Sequence, residues 1–134
     1  MIFTLDERLE ADTVHISDMD LCQIRMMKDA NYPWVVMVPR VPDVREIHDL
    51  SDSDQSRLMT ELANVSAVLE KAFQADKMNV GALGNIVPQL HVHVVARFHE
   101  DPAWPDPVWG KHPPAAYPDG DLEVWTEGLK KILA

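Results

Sequence analysis

A chain of 134 residues, 46% apolar and 25% charged, has the length and composition of one compact globular domain and is neither disordered nor fibrous. Its formal net charge of −10 argues against a broad nucleic-acid or anionic-membrane surface, which needs clustered Lys and Arg, but leaves room for a small phosphate ligand held by local donors. Its one cysteine, Cys22, excludes an intramolecular disulfide and a Cys-rich zinc site and fits a reducing cytoplasm. No apolar run approaches the roughly 18 residues that span a bilayer, and the opening Met1-Ile2-Phe3-Thr4-Leu5-Asp6-Glu7 lacks the basic-then-apolar order of a signal peptide.

In chain order, Leu5 to Glu10 can form a helical turn. Thr13 to Ile16 and Leu21 to Met27 are β-favouring runs separated by the polar Ser17-Asp18-Met19-Asp20 turn. Asp29-Ala30-Asn31-Tyr32-Pro33 reads as another turn. Trp34-Val35-Val36-Met37-Val38 is an unbroken apolar run closed by Pro39, the pattern of a buried central strand. Leu58, Leu62, Val65, Leu69 and Phe73 recur every three or four residues and predict a long amphipathic helix over about 52 to 75, with Ser51 or Ser53 as its N-cap. Lys77 to Leu83 and Leu90 to Phe98 read as strands joined through a Gly84-Asn85 turn. The segment 101–118 holds six of the ten prolines and should carry no regular element; Leu122, Trp125, Leu129 and Ile132 then suggest a short C-terminal helix weakened by Gly128. No repeat or linker divides the chain. Strands, one long helix, strands and a short helix favour an α+β domain with a mainly antiparallel sheet.

The strand 90–98 carries the chemistry. With a two-residue period, Leu90, Val92, Val94, Ala96 and Phe98 face one side, while Gln89, His91, His93, Val95 and Arg97 face the other. Two imidazoles on one face admit three readings. They can be half-exposed surface histidines, two ligands of a metal, or a nucleophile beside a proton donor that together form and resolve a phosphoramidate. Asn79, Gly81, Gly84 and Asn85 precede the strand, where glycines permit close backbone approach to a ligand and Asn amides can meet ribose or phosphate oxygens.

These residues resemble the signature of the histidine triad (HIT) family, His-x-His-x-His-x-x with apolar x. Here it reads Gln89-Leu90-His91-Val92-His93-Val94-Val95, after an Asn- and Gly-containing strand and turn. The run from Trp34 to Arg40 is similar to that family's apolar strand ending in Pro-Lys or Pro-Arg, so the likeness spans roughly residues 20 to 98. The resemblance implies a HIT-like fold and a nucleotide hydrolase or nucleotidyl transferase acting on nucleoside phosphoramidates or related nucleotide conjugates. It implies that His91 attacks the α-phosphate and that His93 contacts phosphate and assists the leaving group. Asp29 would bind ribose hydroxyls, and Asn79, with Gln89 and Asn85, would lie at the phosphate. It further implies a homodimer, a small-molecule nucleotide as partner, and no metal or organic cofactor.

Three departures from the family pattern involve four positions. Gln89 stands for the first histidine and cannot carry charge. Trp34 stands where many relatives have a further histidine. Asn85 and Ile86 replace a Gln followed by a hydroxyl residue. They motivate a rival reading, a nucleotide-binding module without useful turnover. A metal-dependent enzyme using His91 and His93 is a second rival, and it lacks an obvious third ligand on the strand. Arg97 and Arg40 could bind phosphate or form ion pairs. Trp104 and Trp109 could cap a pocket or an interface, or simply pack, and His15, His48, His99 and His112 have no supporting constellation.

Overall fold

The computed structural model describes residues 2–133. Helix α1 (Glu7–Asp12) starts at Asp6, whose carboxylate accepts the Arg8 N–H at 2.8 Å, and it leads directly into β1 (Thr13–Asp18). There follow β2 (Cys22–Met27), β3 (Trp34–Pro39), a 3-10 turn (Ile47–Asp49), α2 (Asp52–Phe73), β4 (Lys77–Gly81), β5 (Val92–Arg97) and α3 (Asp121–Leu133). The strands pair antiparallel in the order β1-β2-β3-β5-β4, so the architecture is the α+β arrangement with an antiparallel sheet expected of the sequence.

Every residue of β3 is buried, and this explains its unbroken apolar run: the strand lies mid-sheet with both faces covered. On one face α2 and α3 pack Leu58, Val65, Leu69, Leu129 and Leu133 against Ile24, Met26, Val35, Met37, Val92 and Val94. On the other, Trp34, Val36, Val38 and Val95 are covered by Leu9 of α1 and by Ala103 and Val108 of the proline-rich segment. That segment runs through turns and bends rather than a helix or strand. The face of β5 that carries the histidines is therefore roofed over much of its area.

Several boundaries differ from those the sequence suggested. Helix α2 stops at Phe73 because Gln74 takes a left-handed conformation with φ 52°; its start is capped by Ser51, whose hydroxyl accepts the Asp54 N–H. Strand β4 stops at Gly81, where the partner is His93, and the chain then turns away through Gly84 at φ 71°. Strand β5 begins at Val92, since the Leu90 N–H is taken by the Val44 carbonyl outside the sheet. His91 thus sits just ahead of the ladder, not within it. The C-terminal helix runs for 13 residues despite Gly128. Among the described residues no helix is long and apolar enough to cross a membrane.

Candidate active site

Strand alternation sends His93, Val95 and Arg97 to the roofed face of the sheet, and β3 brings Val36 opposite His93 and Trp34 opposite Val95. His91 and His93 are both buried to 7% exposure, with ring centroids 4.9 Å apart and planes at 69°. Each ring has one nitrogen committed by a partner that can act in only one sense. The Gln89 carbonyl can only accept, so the 2.7 Å contact with His91 Nδ1 places the proton on Nδ1 and leaves a lone pair on Nε2. The Trp34 indole can only donate, so its 3.0 Å bond to His93 Nδ1 places the single proton of that ring on Nε2. Burial pushes the His93 pKa down to about 4, and the neighbouring His91 adds to the shift. With His91 in its neutral form, one ring offers an electron pair and its neighbour a hydrogen bond.

Both rings line a cavity of about 510 Å³. Leu9, Met27 and Val87 supply apolar wall, and Arg8 and Asp12 of α1 supply charge. Trp109 closes one side, with its ring 5.7 Å from His93 and 6.2 Å from Trp34, edge-on to both. The cavity size and its apolar lining with a few convergent polar groups suit a nucleoside-sized ligand.

Of the expected ligand contacts, the cavity gathers His91, His93, Asp29 and Asn85. Asp29 is buried, and its Oδ1 accepts the N–H groups of Asn31 at 2.9 Å and Ala115 at 3.2 Å, which ties the wall to the later part of the proline-rich segment. Asn85 is exposed on the loop after β4. Gln89 and Asn79 do not line the cavity. The Gln89 amide spans the N-terminal segment, accepting from the Asp6 N–H at 2.9 Å and donating to the Thr4 carbonyl at 2.8 Å. Asn79 Oδ1 accepts from Arg97 at 2.7 Å. Both amides are taken up by protein groups: Gln89 by the backbone of the N-terminal segment, and Asn79 by a fully buried guanidinium.

That guanidinium settles the ambiguity over Arg97. It is 1% exposed, forms a two-pronged bond to Asp101 at 2.7 and 3.0 Å, and donates to the Asp106 carbonyl at 2.9 Å. Arg97 is an internal clamp on the proline-rich segment. Arg40 likewise serves backbone, donating to carbonyls of the β1–β2 turn. Gly81 also has a different use from the ligand approach suggested by sequence: a Cβ there would stand 3.1 Å from the Trp109 ring, so the bare strand leaves space for that indole. Trp109, which the sequence offered as a pocket cap or a packing residue, stands in the cavity wall, whereas the Trp34–His93 bond carried no local signature, since its two residues lie 59 positions apart. Among the described residues no group of three or more His, Cys, Asp or Glu side chains is placed to hold a metal ion.

Comparison with known proteins gives a consistent picture. The HIT domain family model matches residues 8–100. A histidine triad protein from Bradyrhizobium japonicum superposes with a TM-score of 0.97 at 44% identity, covering 100% of both chains. One from Sinorhizobium meliloti gives 0.93 at 45% identity, covering 98% of this chain and 97% of the other, and one from Marinobacter aquaeolei gives 0.94 at 44% identity over 100% of both. In sequence, 74 residues are 34% identical to the asymmetrical bis(5'-nucleosyl)-tetraphosphatase of Schizosaccharomyces pombe; the match spans 52% of this chain and 41% of that relative.

Proposed function

This chain belongs to the histidine triad family, and from that premise we propose that it is a nucleotide hydrolase or nucleotidyl transferase working through a covalent nucleotidyl-histidine at His91. The observation that carries the reading is the 2.7 Å bond from His91 Nδ1 to the Gln89 carbonyl, which leaves Nε2 as a free electron pair on a buried ring lining the cavity. The substrate is a nucleotide conjugate, a class that runs from nucleoside phosphoramidates to phosphoanhydride-linked nucleotides such as the substrate named for the Schizosaccharomyces pombe relative. The base and ribose occupy the apolar cavity beside Asp29, with the α-phosphate at the two histidines.

In the first step Nε2 of His91 attacks the α-phosphorus. A P–N bond forms, the bond to the leaving group breaks, and the imidazole keeps its Nδ1 proton against the Gln89 carbonyl, which steadies the positive charge it gains. His93 donates its Nε2–H to an oxygen at the reacting phosphorus, where negative charge accumulates. In the second step water attacks phosphorus, the electron pair returns to Nε2, and the surplus proton passes to solvent as the nucleoside monophosphate leaves.

The test is a single-turnover reaction with an adenosine conjugate, quenched early and read by mass. The parent chain gains one nucleotidyl group transiently; His91→Ala shows no adduct and loses at least about 10³-fold in rate. A parent chain that turns over without an adduct overturns the covalent route. The second reading is a nucleotide-binding module, favoured by the uncharged state of His93, and it predicts bound nucleotide with neither adduct nor product.

A further inference from the structure

The bond between Trp34 and His93 restricts the chemistry of the site further than the family pattern does. An indole N–H has no acceptor capacity in the ring plane, so a proton on His93 Nδ1 would be forced against the indole proton between two nitrogens only 3.0 Å apart. The charged imidazolium therefore requires this bond to break inside a packed cluster. Trp34 is 7% exposed and held edge-on by Tyr32 at 6.2 Å and Trp109 at 6.2 Å, so the indole has little room to turn aside. Burial and the neighbouring His91 separately push the His93 pKa down, and the bond from Trp34 adds to them. The remaining charged or titratable groups lining the cavity are Arg8 and Asp12 of α1, Asp29 before β3, His91 before β5 and His112 of the proline-rich segment. Trp34 and Trp109, which pack on the His93 ring itself, are uncharged.

A neutral imidazole donates a hydrogen bond from Nε2 but does not surrender that proton near neutral pH, because doing so would create an imidazolate. This matters most for the leaving group. A phosphate or carboxylate departs as a stable anion with the electron pair of the broken P–O bond. An amine on phosphorus must first receive a proton on nitrogen, since its unprotonated anion is far too basic to leave.

Resting on the reading of His91 as nucleophile, we propose that Trp34 is a positioning residue that sets leaving-group specificity: by holding His93 uncharged, it confines the site to nucleotide conjugates whose leaving group departs as a stable oxyanion and excludes those that must expel an amine. The bond balance is simple. His91 Nε2 forms a bond to phosphorus, the P–O bond breaks, and the oxygen leaves with its electron pair and no added proton. His93 contributes a hydrogen bond throughout and keeps its own proton.

The experiment compares single-turnover nucleotidylation of the full chain by three probes: an adenosine polyphosphate, an acyl adenylate and adenosine phosphoramidate. The parent chain is expected to react with one or both oxyanion-leaving probes at least about 100-fold faster than with the phosphoramidate, the scale of one missing proton transfer. The first two probes distinguish a phosphate from a carboxylate leaving group. Trp34→Phe keeps a ring but removes the donor, and should narrow that ratio at least about tenfold, with a new pH dependence from His93. In parallel, nitrogen NMR of the parent chain should show His93 as the neutral Nε2–H tautomer, still uncharged at about pH 5.5. Equal rates for amine and oxyanion leaving groups overturn the proposal, as does a His93 that titrates at its ordinary value of 6.5 in the parent chain, a result that needs no variant to fold. Absence of an adduct with all three probes overturns the covalent reading and this proposal with it, whereas an adduct formed equally from all three overturns the proposal alone.

Discussion

His93 is uncharged in the folded chain down to about pH 4, while in the unfolded chain it takes up a proton below its ordinary value of 6.5. Between those limits the unfolded state binds more protons, so stability contributed by the neutral ring is complete above 6.5 and is lost as pH falls toward 4. Over that window the loss from this one group is about 2 kcal/mol by about pH 4.5. Urea unfolding of the parent chain and of His93→Asn at both ends of the window measures it: the variant should lose about 2 kcal/mol less on acidification. Equal losses would place the titration elsewhere. The sequence made both histidines legible as a same-face pair because side-chain alternation depends only on local backbone. It did not make Gln89 or Asn79 legible, because alternation gives a face and not a partner. The Gln89 amide is claimed by Thr4 and Asp6, more than 80 positions away, and Asn79 by Arg97 on the neighbouring strand. Glu61 is a similar case: nothing in the sequence names a partner for it, yet it is buried and its two oxygens accept the N–H groups of Leu21 and Cys22, about 40 positions away, each at 2.8 Å.

Elements with a strong internal period were readable nearly to their ends. Helix α2 announced itself by its apolar stripe and its serine cap, and β3 by an unbroken apolar run, since burial on two faces leaves no polar positions. The ends of β4 and β5 were less so, because a strand ends where its partner does. Strand β4 shows how an element shapes the site without touching the chemistry. Its last residue, Gly81, pairs with His93 and leaves space for the Trp109 ring, and a methyl group there would sit 3.1 Å from the nearest ring carbon. Trp109 must then shift by a few tenths of an ångström in a wall it shares with His93 and Trp34. Gly81→Ala should fold, and should lower kcat/KM for a nucleotide conjugate by about tenfold, a loss of the size that small misplacements near a reacting centre produce. Pairing the change with Trp109→Phe, a smaller ring, should recover part of the loss. Steady-state kinetics of the three variants decides whether the close approach matters.

Across the whole molecule, the sheet is covered on one face by helices that the apolar pattern predicts and on the other by the short α1 and a proline-rich segment whose path that pattern does not predict. Such a segment has no period, and its path is set by a few tertiary bonds. The strongest of these lies between Arg97 and Asp101, whose side chains are 1% and 4% exposed. Asp101 also accepts the N–H groups of Phe98, Ala103 and Trp104, so one carboxylate fixes the turn that starts the covering layer, and the layer carries Ala103, Val108 and Trp109 onto β3 and β5. Asp101→Asn would leave a guanidinium buried without its counter-charge, at a cost of about 3–5 kcal/mol. Because Trp109 and His112 lie further along the same segment and line the cavity, the loss should extend to the site: weaker nucleotide binding in the population that remains folded. The double change Arg97→Met with Asp101→Asn removes the stranded charge and should recover part of the stability, though not the hydrogen bonds to Asn79 and the Asp106 carbonyl that hold the turn. Urea unfolding together with nucleotide titration separates these effects. If Asp101→Asn leaves both stability and binding at parental values, the clamp is not what seats the covering layer, and the apolar contacts of Ala103 and Val108 hold it alone.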